Sequence, residues 1–414
     1  MDYGVLMELV SELGVRLISA GAEIYRSEES IARVAKAYGL TAKVYAIPNS
    51  IVITLLVPDG LPVTRLCRIE NRGTDLDAVE HYSNLCRQIC AEKPDLQEAL
   101  QMLDKTESVR KHYSLPVFLL GNILVGCGFC AFFGGSLRDS LCAGGCSLLV
   151  GILSCLLAKN KVNTFFEKIL ASFIMAVAAC GMAALGWTDS VDTVMIGTLM
   201  LLVPGVLFTN AMRDIIFGDT NSGINRIVET LLIAVAIASG TAVAWRLSDI
   251  IWDLPVQAAP LQYAPLSTCL MALVACTGFA IVFNIHGAHW LCALGGCLAW
   301  GAYCLVQHFD GNLALCSLAA TVVSAVYAEI MARVRKYPAI SYLVISLVPM
   351  IPGAGIYYCA QHAIAGSYTL ALEQGVRTLT IAGMIAVGIL MVSTVARSIN
   401  AYKAARKAAR KSKV

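Results

Sequence analysis

Two short stretches decide how this chain folds: Leu201-Leu202-Val203-Pro204-Gly205 and Pro349-Met350-Ile351-Pro352-Gly353. Each places a proline–glycine pair inside an apolar run. Proline removes a backbone donor and clashes with the preceding turn, while the glycine lets the chain turn or a ligand approach closely. The two pairs lie 148 residues apart, and other matches share nearly that spacing. Gly128-Phe129 matches Gly278-Phe279, Phe133 matches Phe283, and Leu141-Cys142-Ala143 matches Leu291-Cys292-Ala293, all at 150; Arg226 matches Arg377 at 151. An offset this constant at five places reads as an internal repeat.

The charge distribution says where the repeat lives. Residues 1–112 carry 29 Asp, Glu, Lys and Arg, residues 113–396 carry only 23, and the last 18 residues carry seven Lys/Arg and no acid. A 284-residue block so poor in charge has no means of coating itself with a water-facing surface, so a soluble enzyme is excluded. Apolar runs of bilayer-spanning length are expected at about 115–134, 140–158, 168–186, 192–212, 224–246, 265–284, 288–306, 312–331, 340–360 and 376–396. Arg110-Lys111, Lys159, Lys161 and Lys168, Arg213 and Arg226, Arg333, Arg335 and Lys336, and the basic tail fall on one side. Asp189 and Asp192, Asp249 and Asp253, Asp310, and Glu373 fall on the other. By the positive-inside rule both termini are cytoplasmic.

The expectation is therefore a polytopic α-helical membrane protein: ten transmembrane helices as an inverted 5+5 repeat, preceded by a small α/β cytoplasmic domain. The boundaries are 1–112 for that domain, 113–260 and 261–396 for the five-helix repeats, and 397–414 for a basic tail whose spacing also suits a helix on anionic lipid. Five spans per copy make the copies cross in opposite senses, which is a transporter architecture with its substrate site near the midplane. Met1-Asp2-Tyr3 leads into an amphipathic stretch with Glu8, Glu12 and Arg16 that lacks a basic n-region and an apolar h-region, so the head is expected in the cytosol.

Within the head, residues 3–20, 25–38, 75–91 and 94–111 have helical periodicity. Residues 42–46, 51–57 and 63–69 read as strands, bounded by Pro48-Asn49, Pro58-Asp59-Gly60 and Asn71-Arg72-Gly73. The head is slightly acidic, which gives no nucleic-acid footprint. Of the 16 cysteines, 13 lie in or beside the apolar block and read as small packing residues; Cys127 and Cys130 have metal spacing but no histidine or carboxylate nearby. Asn284, His286 and His289 read as a hydrogen-bonded loop rather than a metal site.

A half-helix that starts after a proline break points its N-terminal N–H groups into the protein, an end that suits a carboxylate. The substrate-binding candidates are Pro204, Gly205, Thr209, Asn210, Pro352, Gly353 and Tyr357. Thr209 and Asn210 lie one turn past the first break and are placed to read an amino or hydroxyl group. Asp214 and Asp219 are candidates for a coupling proton, because a carboxylate is costly to keep charged in a membrane interior. Arg213, Arg226, Glu229 and Arg377 complete the charged set; interfacial caps and helix-surface pairs are the competing reading of these charges. No nucleotide-binding, hydrolase or metalloprotease motif is present, so the partners are a small-molecule substrate and the lipid bilayer, and homo-oligomerisation stays open. No cofactor is implied.

Gly21 to Leu40, the Pro48-Asn49 strand pair, Thr64-Arg65, the segment from Pro204 to Gly240, and Pro349 to Gly353 together resemble the bacterial threonine/serine exporter family, in its fused two-half form. The resemblance covers nearly the whole chain. It implies a proton-driven exporter of small amino acids such as threonine and serine, not an enzyme. Similar two-subunit members are associated with export of succinate-like dicarboxylates, which leaves that substrate class as the alternative. A membrane-anchored sensor or enzyme acting through its head is a third reading.

Overall fold

In a computed structural model the described residues are all but Met1, Asp59, Asn71, Arg72, Lys161, 253–258, Ala288, Lys336 and 412–414, and the side chains of 289, 400, 401 and 403–411. The turn residues Asp59, Asn71 and Arg72, the loop charges Lys161, Asp253 and Lys336, and the side chains of His289 and most of the basic tail therefore lie outside the described residues. The chain divides into two compact units, Met1–Tyr113 with Phe283–Gly287, and Ser114–Val282 with Ala288–Val414.

The first unit holds α1 (Tyr3–Ser19), α2 (Ile24–Ala37), β1 (Thr41–Ile47), β2 (Ser50–Leu56), β3 (Val63–Arg68), α3 (Leu76–Glu92) and α4 (Leu96–Val109). Aspartates open three of the helices: Asp2, Asp75 and Asp95 accept hydrogen bonds from first-turn N–H groups that the helix leaves without acceptors. The strands form an antiparallel sheet in the order β1-β2-β3. Pro48-Asn49 makes the two-residue turn that pairs Ile47 with Ser50. Ile51, Ile53 and Leu55 alternate onto one face of β2 and are fully buried, as are Leu6, Leu9 and Leu13 of α1.

The segment Phe283–Gly287 joins this unit through several hydrogen bonds, three of them made by Asn284. Asn284 takes φ of 60°, and its amide is fully used. Its Nδ2 donates to Asp75 Oδ1 at 3.1 Å and to the Lys111 carbonyl at 3.0 Å. Its Oδ1 accepts from the Tyr113 N–H at 3.3 Å and contacts His286 Nε2 at 3.0 Å. The Leu76 N–H also donates to the Phe283 carbonyl. The hydrogen-bonded reading of this loop holds for Asn284 and His286.

The second unit is helical: α5 (Leu115–Phe132), α6 (Leu137–Lys159), α7 (Thr164–Ala184), α8 (Val191–Leu199), α9 (Gly205–Phe217) and α10 (Thr220–Ile251), then α11 (Pro265–Val282), α12 (His289–Phe309), α13 (Leu313–Arg335), α14 (Ala339–Leu347), α15 (Gly353–Ile364) and α16 (Tyr368–Lys411). By length and composition eight of these can cross a membrane, and up to nine if the pair Ala339–Met350 and Gly353–Ile364, bent by 49°, is one span. The chain is thus a polytopic helical membrane protein. The run expected at 192–212 is two short helices, α8 and α9; nine residues of α8 rise only about 14 Å, half a bilayer core of about 30 Å.

Small residues let α5 and α11 approach closely. A β-carbon on Gly128 would lie 2.7 Å from the Ala275 backbone nitrogen, and one on Gly278 would lie 2.7 Å from that of Val125. Between them the rings of Phe129 and Phe279 meet edge to face, centroids 6.0 Å apart. Adding 150 to one residue of each pair and subtracting it from the other turns the first glycine contact into the second.

Candidate functional site

The two proline–glycine breaks have the same local structure. Pro204 takes φ/ψ of −80°/44° and Pro352 −77°/49°. The Gly205 N–H donates to the Val203 carbonyl at 2.9 Å, and the Gly353 N–H to the Ile351 carbonyl at 2.7 Å. Each is an inverse γ-turn, a three-residue reversal that proline's fixed φ favours. α9 and α15 start directly from these turns, so their first N–H groups lack intrahelical acceptors.

The breaks also meet. A β-carbon on Gly205 would strike Ile351 Cγ2 and come within 3.5 Å of the Gly353 Cα, while one on Gly353 would come 3.3 Å from Val203 Cγ1. At the 148-residue offset each of these contacts is the image of the other. Only glycine fits the tighter of them. The structure thus brings Pro204, Gly205, Pro352 and Gly353 together.

The remaining candidates distribute around this crossing. Thr209 and Tyr357, again 148 apart, are both buried; the Tyr357 hydroxyl donates to Thr241 Oγ1 at 3.4 Å, whereas Thr209 Oγ1 has no hydrogen-bond partner among the described residues. Asn210 is half-buried. Asp214 on α9 and Arg226 on α10 form a buried ion pair, Arg226 Nε to Asp214 Oδ2 at 3.0 Å, with side chains 5% and 12% exposed. Gly218, at φ of 97°, makes the tight turn that folds α10 back against α9 and allows that pair. Arg213 is buried and partnered, and Glu229 is half-buried and partnered. Asp219 stands at the N-terminus of α10. Arg377 lines a cavity.

Two cavities flank α15. One, of about 320 Å³, lies at the second break, where Pro352, Ala354 and Gly355 face Arg377, Gln374 and the stacked pair Trp300 and Tyr303. The other, of about 460 Å³, lies between α8, α10 and α15 and is lined by Asp192, Thr241, Arg246, Tyr357, Tyr358 and Gln361 among others. Sequence reasoning treated Asp192 only as a loop charge and did not single out Arg246, Thr241, Trp300, Tyr303 or Tyr358. The one signal available was composition: an acid and an arginine at the ends of apolar runs.

In the first unit, Asp77, Glu80 and His81 lie on one turn of α3 with ligand atoms within 4.8 Å of one another, a set able to hold a metal ion. Burial pushes the Asp77 carboxyl above the usual range; His81, His286 and Arg110 pull it down and Asp75 adds to the rise, with burial winning. Burial likewise pushes the Cys86 thiol up to about 12.

A family model described as a putative threonine/serine exporter matches residues 8–248, and a second, described as threonine/serine exporter, matches 268–395. The chain belongs to the threonine/serine exporter family. Similar to it is the threonine/serine exporter of Corynebacterium glutamicum, 24% identical over 97% of this chain and 86% of that protein. A probable threonine/serine exporter of Mycobacterium tuberculosis is 22% identical over 94% of this chain and 76% of its own length. A probable succinate transporter subunit of Escherichia coli K12 is 22% identical over 57% of this chain and 92% of that subunit. No solved structure matches. Membership of an exporter family makes the chain a transporter by kinship, and residues 249–267 lie between the two family matches.

Proposed function

We propose that this exporter-family chain is a secondary active exporter of threonine and serine, driven by the proton gradient, in the bacterial cytoplasmic membrane. Its termini and head face the cytosol, and its ten spans form two inverted five-helix copies, the fourth and ninth spans being the broken helices α8/α9 and α14/α15. The meeting of the two proline–glycine breaks carries this reading. Reciprocal contacts at offsets of 148 and 150, with Gly205 against Gly353 and Phe129 against Phe279 on the dividing line, are what a two-fold axis in the membrane plane produces. The half-helix N-termini of α9 and α15 lie there, where N–H groups and dipole favour a carboxylate.

The substrate contacts assigned are Pro204, Gly205, Thr209, Asn210, Pro352, Gly353 and Tyr357, with Arg377 drawing the carboxylate into the cavity at the second break. Asp214 carries the coupling proton: its protonation releases Arg226 and frees α9 from α10. Arg213, Asp219 and Glu229 support that charged turn. No bound cofactor takes part.

The kinship to a probable succinate transporter subunit supports a second substrate class, dicarboxylates. Proteoliposomes with an imposed pH gradient separate the two. Serine and threonine uptake into inside-out vesicles acidified within, exceeding that of succinate, is the expected result; movement of none of the three overturns the exporter reading.

A further inference from the structure

The larger cavity is separate from the break itself, and its chemistry differs from that of its neighbour. The cavity at the second break has one arginine and no acid among its lining residues. The cavity between α8, α10 and α15 has one of each, Asp192 on the first turn of α8 and Arg246 near the end of α10. Both residues are exposed, and neither has a hydrogen bond or ion pair among the described residues. Set on two different helices, they line one cavity with a charge of each sign. Its volume, about 460 Å³, falls within the range of small-molecule sites.

The hydroxyl at its inner wall is polarised in one direction. Thr241 Oγ1 donates back to the Ile237 and Ala238 carbonyls, at 3.0 and 3.1 Å, and the Tyr357 hydroxyl donates to Thr241. With its proton committed, the Tyr357 oxygen is left to accept. Half-buried Gln361 adds an amide able to donate and accept.

We infer that this cavity is a binding site for a zwitterionic α-amino acid bearing a side-chain hydroxyl, with Arg246 taking the carboxylate, Asp192 the ammonium and the Tyr357 oxygen the hydroxyl. The inference rests on the exporter reading and adds to it a second substrate station beside the break. A dicarboxylate fits poorly, because its second carboxylate meets Asp192. Tyr358 lines both cavities and is the wall across which substrate passes from one to the other.

The test is equilibrium binding to the purified full chain in detergent, with four probes: L-serine, serine methyl ester (no carboxylate charge), glycerate (a hydroxyl in place of the ammonium) and succinate. Arg246→Gln is expected to weaken serine on the order of 10- to 100-fold, the span of a hydrogen bond to a charged group, and to leave the methyl ester unchanged. Asp192→Asn is expected to weaken serine similarly and to leave glycerate unchanged. Tyr357→Phe should weaken serine more than alanine, which has no hydroxyl to offer. Asp192 and Arg246 have no internal partner to lose, so both variants should fold; Arg246→Lys and Asp192→Glu, which keep the charge and move it, should weaken serine less and serve as the check. Serine affinity within twofold of wild type in both neutral variants overturns the inference, while serine transport by the same proteins leaves the exporter reading standing. A wild-type chain that binds succinate and not serine overturns the inference, and transport of neither removes the exporter reading as well.

Discussion

Asp214→Asn is the substitution that separates a coupling role from a packing role. The Asp214–Arg226 pair spans 3.0 Å and is almost closed to solvent. At an effective dielectric of about 20, two unit charges at that distance attract by about 5.5 kcal/mol, and desolvation takes back much of it. Removing the acid alone takes from the buried guanidinium the carboxylate it meets at 3.0 Å, and breaking a buried pair in this way costs about 3–5 kcal/mol. In a domain of a few hundred residues, 3 kcal/mol lowers Tm by about 6–12 °C. Asn matches Asp in shape, so the loss is one of charge and not of volume. Asp214→Asn with Arg226→Gln removes both charges and should recover most of that fall. Transport in proteoliposomes then decides the role. If Asp214 carries the proton, the double variant regains stability but exchanges serine at a rate indifferent to the pH gradient. If the double variant regains both stability and gradient dependence, Asp214 is a structural ion pair and the coupling assignment is wrong. A single variant that loses less than 1 kcal/mol refutes the electrostatic reasoning itself.

Further substitutions probe the crossing and the head. Gly205→Ala should impair transport more than Gly353→Ala, because its methyl strikes the branched Ile351 whereas Gly353 has 3.3–3.4 Å to Val203 and flexible Met200; equal rates for the two variants contradict this. Asn284→Gly keeps the left-handed backbone but removes an amide that meets four partners, and is expected to cost about 2–3 kcal/mol in thermal unfolding; a neutral result means the loop does not depend on it. The raised Asp77 carboxyl binds its proton more readily folded than unfolded, so its penalty is full above the folded value and vanishes below the ordinary 3.8. Asp77→Asn should therefore raise Tm at pH 7.5, with the gain shrinking toward pH 4; a lower Tm at pH 7.5 contradicts the sign. Cys86, its thiol pushed up to about 12, should resist maleimide at pH 7.5 until the head unfolds, as mass spectrometry of the labelled protein would show.

What could be read from the sequence was local. Apolar runs of span length, Pro48-Asn49 between β-branched runs, and the aspartates that open α1, α3 and α4 all act within a few residues of where they stand, so periodicity and turn chemistry reveal them. The proline–glycine breaks belong to the same class: proline's clash with its own preceding turn depends on no distant residue. Glu329 and Arg333, four apart on one helix, paired as spacing implies. Glu29 stands three residues from Arg26 but pairs with Arg33 four residues on, while Arg26 takes Glu23; spacing alone allows Arg26 either acid.

The features that escaped are those made by segments far apart in the chain. The inclusion of Phe283–Gly287 in the head unit depends on Asn284 adopting φ of 60° and meeting Asp75, more than 200 residues away. No spacing rule reaches that far. Asp192 and Arg246 are ordinary ends of apolar runs until α8, α10 and α15 enclose a cavity between them. The ion pair of Asp214 and Arg226 needs the Gly218 turn to bring α9 and α10 side by side; in a continuous helix a spacing of 12 would put the two charges about 18 Å apart.

The two halves, alike in their breaks, differ in their charges, and the difference bears on mechanism. At the 148-residue offset Asp214 corresponds to His362, and Arg226 corresponds to Arg377 at 151. In the first half the arginine is locked to its acid, whereas in the second it lines a cavity facing aromatic rings, and His362 stacks with Tyr358 instead. Two related halves held in unlike states are what an exporter needs, since one side must be sealed while the other is open. On the proposed topology the sealed half faces the cytosol. Export then requires the Asp214–Arg226 pair to part when substrate enters, at an energetic cost that protonation of Asp214 would lower. The acid belongs in the half that meets the cytosol, because a proton carried in from outside parts the pair there and is given up to the cytosol as substrate enters.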